Sequence, residues 1–169
     1  MTLDTTLFTM ANSLFPSAAP LWTLLNDPRA ALLLAGLAVA ILWTTGQWRW
    51  AVPAILTVML SDVATARAMK PAFDRARPCA TLGEVYAPLE DGKPHCGTGG
   101  SMPSAHAANS MALGVVLASP GLVLVSLIVG VARVVGGQHW PTDVLAGWAF
   151  GLAIGWAVRA GCERALGWR

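Results

Sequence analysis

Charge is scarce in this chain. Of its 169 residues only 12% are charged and 55% are hydrophobic, with a net charge of +2. Soluble domains carry about 25% charged residues. Here the apolar residues also run in blocks, so composition excludes a soluble globular domain and points to an integral membrane protein. The small net charge, with no basic cluster and no aromatic-interleaved stripe, excludes a nucleic-acid partner. No Lys or Arg precedes Arg29, so a positive n-region is lacking and insertion is expected to rely on internal spans. The three cysteines match no common zinc-ligand spacing, and nothing resembles a carboxylate cage for Mg²⁺. No metal is expected. Internal repeats and low-complexity tracts are missing too.

Apolar helix-length blocks are abundant. Five can span a bilayer, roughly 30–45, 52–69, 105–117, 122–135 and 144–161. A span needs about 20 residues, so the shorter blocks borrow from their flanks. The gaps GQWRW and ASPG are tight and join antiparallel neighbours. Residues 1–28 carry Leu3, Leu7, Met10 and Leu14 at helical spacing, with Asp4, Thr6 and Asn12 between them. That pattern fits an interfacial amphipathic helix; the alternative is a sixth span, interrupted by Pro16 and Pro20. The expected fold is a single all-α membrane domain over residues 1–169, a polytopic bundle of five to six helices. Of eight tryptophans, Trp43, Trp48, Trp50, Trp140 and Trp168 lie near expected span ends, where interfacial belts enrich Trp; Trp148 and Trp156 read as helix-packing residues. Asp62, inside the second block, is expected to pair with Arg67 or another interior polar group.

The polar residues concentrate in a long connection, residues 70–103. Alternating spans bring 70–78, 103–106 and 133–143 to one membrane face. Arg49, Arg159, Arg164 and Arg169 gather at the other face, which the positive-inside rule puts in the cytoplasm once the cations of the candidate site are set aside. The long connection is then extracytoplasmic. In an oxidising compartment Cys79 and Cys96 can close a loop of about 18 residues, worth about 3 kcal/mol in the chain-entropy picture, while Cys162 stays reduced.

Three clusters on that face carry chemistry. In KPAFDRARP, Lys70 and Arg77 stand seven apart, on one face of a helix if the segment is helical, although Pro71 disfavours helix at Lys70. In SMPSAHAANS, Pro103 or Ser104 opens a helix whose free N–H groups form an anion site, with the Ser104 hydroxyl and His106 in the first turn. In ARVVGGQHWPTD, Arg133 ends a span, Gly136 and Gly137 let the backbone approach a ligand, and His139 and Asp143 stand four apart. Each cluster alone also reads as membrane-edge snorkelling, a helix cap or a structural His–Asp turn. Together, three cations, a helix N-terminus and two histidines suit a multi-oxygen anion such as phosphate, with one nucleophile and one acid.

The three motifs resemble those of the type 2 phosphatidic acid phosphatase (PAP2) family, whose pattern reads K-x6-R-P, P-S-G-H and S-R-x5-H-x3-D. The chain has Lys70 through Arg77-Pro78, Pro103-Ser104-Ala105-His106, and Arg133, His139 and Asp143, with every spacing matched over about residues 50–160. The resemblance implies a phosphohistidine mechanism without metal or cofactor. His139 would attack phosphorus, Asp143 would orient it, and His106 would protonate the leaving oxygen. Lys70, Arg77, Arg133 and Ser104 would hold the phosphoryl oxygens. Ala105 replaces the usual Gly and Ala132 the usual Ser, which bears on substrate subtype more than on activity. The implied substrate is a lipid phosphate or diphosphate in the bilayer, reached from the periplasmic or exterior face of a bacterial inner membrane. Undecaprenyl diphosphate comes first, followed by phosphatidylglycerol phosphate, phosphatidate and lipid A phosphates. A non-catalytic lipid-phosphate binder has no need of the His106–His139–Asp143 set, and a haloperoxidase would need bound vanadate. Oligomeric state has no signature in the sequence.

Overall fold

A computed structural model describes residues 2–26, 36, 38–40, 42–87, 89–90, 93–94 and 96–167. Most of the first expected span, 30–45, and Trp168 lie outside the described residues. Eight α-helices are named here: α1 (Leu3–Asn12), α2 (Phe15–Asn26), α3 (Ala51–Ala64), α4 (Lys70–Phe73), α5 (Pro78–Thr81), α6 (Ala105–Val116), α7 (Pro120–Val135) and α8 (Pro141–Leu166). A π-turn, Thr65–Met69, joins α3 to α4. The fold is all-helical apart from one two-residue antiparallel pair in the long connection, Leu89 opposite Pro94 and Glu90 opposite Lys93.

The core is built inside out relative to a soluble bundle. Ile55, Leu56, Met59 and Leu60 of α3, Leu124, Ile128 and Val131 of α7, and Leu145 and Leu152 of α8 all face outward. The inward faces are small or weakly polar: Thr57, Ser61 and Thr65 of the α3 run, and Ala107, Ala108 and Ala112 of α6, are fully buried. Lipid tails are as apolar as Leu, so close backbone approach rather than hydrophobic burial holds such helices together. Among the described residues, two helical runs, Trp48–Thr81 and Pro141–Leu166, are long and apolar enough to cross a membrane, and Pro120–Val135 is a shorter apolar helix. With its outward apolar shell, the chain is an integral membrane protein.

Helix α6 is the axis, flanked by α3, α7 and α8. At 12 residues it is about 18 Å long. Its seam with α8 is made by Gly147, Gly151 and Gly155; a Cβ on Gly151 would lie 2.2 Å from the Ala108 carbonyl oxygen, and one on Gly147 2.5 Å from that of Ser104. The second glycine contact sets the height of Ser104 against the start of α8.

The N-terminal segment is two helices rather than one span. Proline 20 is accommodated inside α2. On α1 the Leu3, Leu7, Met10 and Leu14 stripe is exposed, while Phe8 and Asn12 are buried against the bundle. Phe8 packs on Trp140 with ring centroids 5.3 Å apart. Asn12 donates to the Tyr86 and Val135 carbonyls, 2.7 Å each, and accepts from the Tyr86 N–H at 2.9 Å. The face of this helix that carries Asp4, Phe8 and Asn12 therefore meets protein, and the leucine stripe faces outward.

Several sequence expectations change here. Trp50 and Trp140 are core residues, 2% and 8% exposed, not belt residues. Arg159 covers the Trp50 ring at 4.8 Å, and the Trp140 indole N–H donates to the Ala76 carbonyl at 2.9 Å. Trp43 and Trp48 are exposed as a belt requires, but so is Trp156, which was expected to pack. Trp148 packs, and its N–H donates to the Ser126 carbonyl. Asp62 accepts from Asn109 Nδ2 of α6 at 2.9 Å, the other polar group that was expected as the alternative to Arg67. Cys79 and Cys96 form a disulfide with Cα atoms 5.8 Å apart, and Cys162 is free.

The α6–α8 seam makes a direct prediction. Gly151→Val lowers stability by about 3 kcal/mol, because a backbone carbonyl cannot yield to the new side chain. Gly161→Ala, where nothing lies within 4 Å, changes it by less than about 1 kcal/mol. Thermal melting in one detergent compares the two; equal melting temperatures would contradict the seam.

Candidate active site

The three motif segments meet at the ends of α4, α6 and α7. The first is bent. The helix stops at Phe73, Asp74 adopts a left-handed conformation with φ 40°, and Arg77 is extended ahead of Pro78. Lys70 is helical despite Pro71, because the proline sits in the first turn of α4, where no amide N–H is needed, whereas Arg77 ahead of Pro78 is extended; the two therefore do not share a helix face. They converge because the chain doubles back. Gly100 allows this: a Cβ there would lie 3.1 Å from the Lys70 carbonyl oxygen.

Arg77 is 7% exposed. Its Nη1 donates to the Gln138 carbonyl at 2.9 Å, and its Nε to the Gly99 carbonyl at 3.3 Å. The same Nη1 lies 3.3 Å from His139 Nε2. His139 Nδ1 lies 2.8 Å from the Ser101 carbonyl oxygen. A carbonyl can only accept, so Nδ1 carries the proton and Nε2 presents its lone pair toward the guanidinium.

Asp143 is fully buried at the start of α8. Its Oδ2 accepts from the Trp140 N–H at 2.8 Å, capping the helix, and lies 3.7 Å from His139 Nδ1. Its Oδ1 accepts from Arg75 Nη1 at 2.8 Å. The carboxylate thus stands beside the imidazole as expected, but the hydrogen bond that selects the tautomer goes to Ser101. Burial pushes the His139 pKa down to about 4; Asp143 opposes that shift, and Arg77 and Arg133 reinforce it. The ring is neutral at physiological pH, as a nucleophile requires.

Ser104 is the N-cap of α6, and its N–H donates to the Asp143 carbonyl at 2.9 Å. Its hydroxyl is buried and has no hydrogen-bond partner among the described residues. Such a group is costly unless a ligand completes it. Ala105 opens the helix in an ordinary helical conformation, so the position does not need glycine, and its N–H is kept. His106, one residue further on, is exposed at the mouth of the site and lies within electrostatic range of Arg133, His139, Lys70 and Arg77. The Arg133 carbonyl accepts from the N–H groups of Gln138 and His139, folding the α7–α8 connection over the end of α7. Gly137 sits in that connection with φ +73°, where a Cβ would strike Val85 and the Tyr86 carbonyl.

The structure thus brings the expected residues together: Arg77, His139, Asp143 and Ser104 are linked by direct contacts, and Lys70, His106 and Arg133 lie within electrostatic range of that group. The PAP2 superfamily model matches residues 50–165, which include every one of them. The chain belongs to the PAP2 superfamily. Two solved structures resemble it in fold. The crystal structure of the first transmembrane PAP2 type phosphatidylglycerolphosphate phosphatase from Bacillus subtilis matches with a TM-score of 0.68 and 20% identity, covering 98% of this chain and 87% of that one. The crystal structure of Aquifex aeolicus LpxE matches with a TM-score of 0.72 and 24% identity, covering 94% and 95%. No curated protein matches at the same stringency. Ala132, where the PAP2 pattern has Ser, lines an apolar cleft of about 340 Å³ between α2 and α7, with Leu14, Ala18, Trp22, Ile128 and Val131 among its walls. A hydroxyl there would face apolar neighbours.

The motifs did not reveal Ser101, Gln138, Arg75 or Asp4. Ser101 and Gln138 act through backbone carbonyls, which any residue supplies. Arg75 carried a faint signal as a further cation in KPAFDRARP, and Asp4 carried none.

The orphan hydroxyl gives a test. Ser104→Ala breaks no bond in the free protein, so its melting temperature stays at or above that of the wild type. Its affinity for orthovanadate, read from the thermal shift at increasing vanadate, falls about tenfold. A drop in melting temperature with unchanged vanadate affinity would contradict this.

Proposed function

We propose that this PAP2-type membrane phosphatase hydrolyses a lipid phosphate or diphosphate through a phosphohistidine on His139. The observation that carries the reading is the His139 ring itself. Its Nδ1–H is spent on the Ser101 carbonyl, and its Nε2 lone pair points at the Arg77 guanidinium, where a phosphoryl group would sit.

The chemistry follows from that orientation. Lys70, Arg77 and Arg133 neutralise the phosphoryl oxygens, and the Ser104 hydroxyl and the N-terminal N–H groups of α6 add donors. Nε2 attacks phosphorus, the P–N bond forms, and the bond to the leaving oxygen breaks. His106 donates a proton to that oxygen. The phosphoimidazolium so formed is cationic. Its Nδ1–H remains on Ser101, and Asp143 at 3.7 Å stabilises the charge. Water then attacks phosphorus, His106 takes its proton, the P–N bond breaks, and inorganic phosphate leaves. Most of the acceleration comes from fixed charge and orientation.

The long connection faces an oxidising compartment in this reading. The Cys79–Cys96 disulfide supports that side, since such bonds persist in the periplasm or outside the cell and are rare in the cytosol. Among substrates, undecaprenyl diphosphate is the first proposal. The structural likeness to a phosphatidylglycerolphosphate phosphatase brings that monoester forward beside it. Phosphatidate and lipid A phosphates complete the class.

Phosphate release from a panel of these lipids, in matched detergent with EDTA present, tests the reading. The wild type turns over at least one lipid, and His139→Ala lowers kcat by about 10⁴-fold or more. A His139→Ala rate equal to the wild type would overturn the covalent mechanism.

A further inference from the structure

A chain of charged contacts runs from the N-terminal helix to Asp143, and two of its members, Asp4 and Arg75, have no part in the mechanism above. Asp4, in the first turn of α1, accepts from the Thr142 N–H at 3.1 Å and the Thr142 hydroxyl at 2.7 Å, and it is ion-paired with Arg75. Arg75 Nη1 reaches onward to the Thr142 hydroxyl at 2.6 Å and to Asp143 Oδ1 at 2.8 Å. Its guanidinium lies 5.2 Å from the centroid of the Trp140 ring, which also packs on Phe8 of α1. Each Asp143 oxygen therefore has one fixed donor, Arg75 for Oδ1 and the Trp140 N–H for Oδ2. A buried carboxylate held at both oxygens keeps one orientation, and loss of one donor frees its torsion and leaves charge unpaired.

We propose that Arg75, steadied by Asp4 of the N-terminal helix, is a positioning residue that fixes the Asp143 carboxylate against His139. Helix α1 is then a working part of the active site. It supplies an anion that orients a cation, which in turn orients the carboxylate beside the nucleophile. Arg75 is 30% exposed and Asp4 13%, so the pair is partly screened, and its value lies in geometry more than in net attraction. The inference rests on His139 as nucleophile. It assigns Arg75 no contact with the phosphoryl group, which separates it from Arg77 two residues on.

Two readouts test it. The first is steady-state hydrolysis of dioctanoyl phosphatidate in detergent. Arg75→Gln lowers kcat about tenfold with KM within about twofold, Asp4→Asn lowers kcat about threefold, and the double variant matches Arg75→Gln, because Asp4 acts only through Arg75. Arg75→Lys recovers part of the loss. The second readout needs no activity: the His139 ring titration followed by ¹⁵N NMR on histidine-labelled protein. The groups around that ring are Asp143 of α8, Arg75 and Arg77 of the connection, Lys70 of α4, His106 of α6, Arg133 of α7 and Asp4 of α1. Removing the guanidinium leaves the Asp143 charge less neutralised, which favours imidazolium, so the His139 midpoint in Arg75→Gln moves upward from the wild-type value. Unchanged kcat, a rise in KM at constant kcat, or an unmoved His139 midpoint would each overturn the proposal. Should Arg75→Gln fail to fold, Asp4→Asn carries both readouts: kcat falls as above, and the His139 midpoint moves downward, because loss of the Asp4 anion leaves the Arg75 guanidinium to Asp143 alone. A wild type that releases no phosphate from phosphatidate or from any other lipid of the panel rejects the functional reading, and the NMR titration still decides the role of Arg75.

Discussion

The Arg77 guanidinium holds the site together. It is buried, it donates to the carbonyls of Gln138 and Gly99, and it faces His139 Nε2. These contacts join three segments that the chain keeps apart: the bend after α4, the loop before α6 and the connection between α7 and α8. A buried cation costs several kcal/mol unless its donors are met. Backbone carbonyls meet them without neutralising the charge, so Arg77 keeps its positive field for a ligand. The price is like-charge crowding with Lys70 and Arg133, which a phosphoryl group would relieve.

The inside-out bundle serves that arrangement. Glycines and alanines along α6 and α8 let two backbones approach until Ser104 and Asp143 share a hydrogen bond. The helix N-termini of α6 and α8 then open beside one another, one with free N–H groups and the other capped by the carboxylate beside His139. Outward Leu and Ile leave the lateral surface to lipid, which suits a substrate whose phosphate is polar and whose tail is not.

Much of this was legible because the functional side chains sit at element ends. Ser104 as N-cap, Arg133 in a last turn and the His139–Asp143 spacing follow from local rules. The spans at 105–117, 122–135 and 144–161 lie within a few residues of α6, α7 and α8. The bend between Lys70 and Arg77 was expected at Pro71 but lies at Asp74, whose left-handed backbone has no local sequence signal. Trp50 and Trp140 were misread because an amphipathic ring is equally at home in a belt or a core. The Asp4–Thr142 contact spans 138 positions and has no local signature, and the tautomer-setting bond to Ser101 uses a carbonyl that sequence does not mark.

The central claim is that His139 Nε2 is the atom that meets phosphorus. A structure of the protein with orthovanadate tests it most directly. The account predicts vanadium bonded to His139 Nε2, with oxygens in hydrogen-bond reach of Lys70, Arg77, Ser104 and Arg133. Vanadium bonded to His106, or bound away from this pocket, would contradict it.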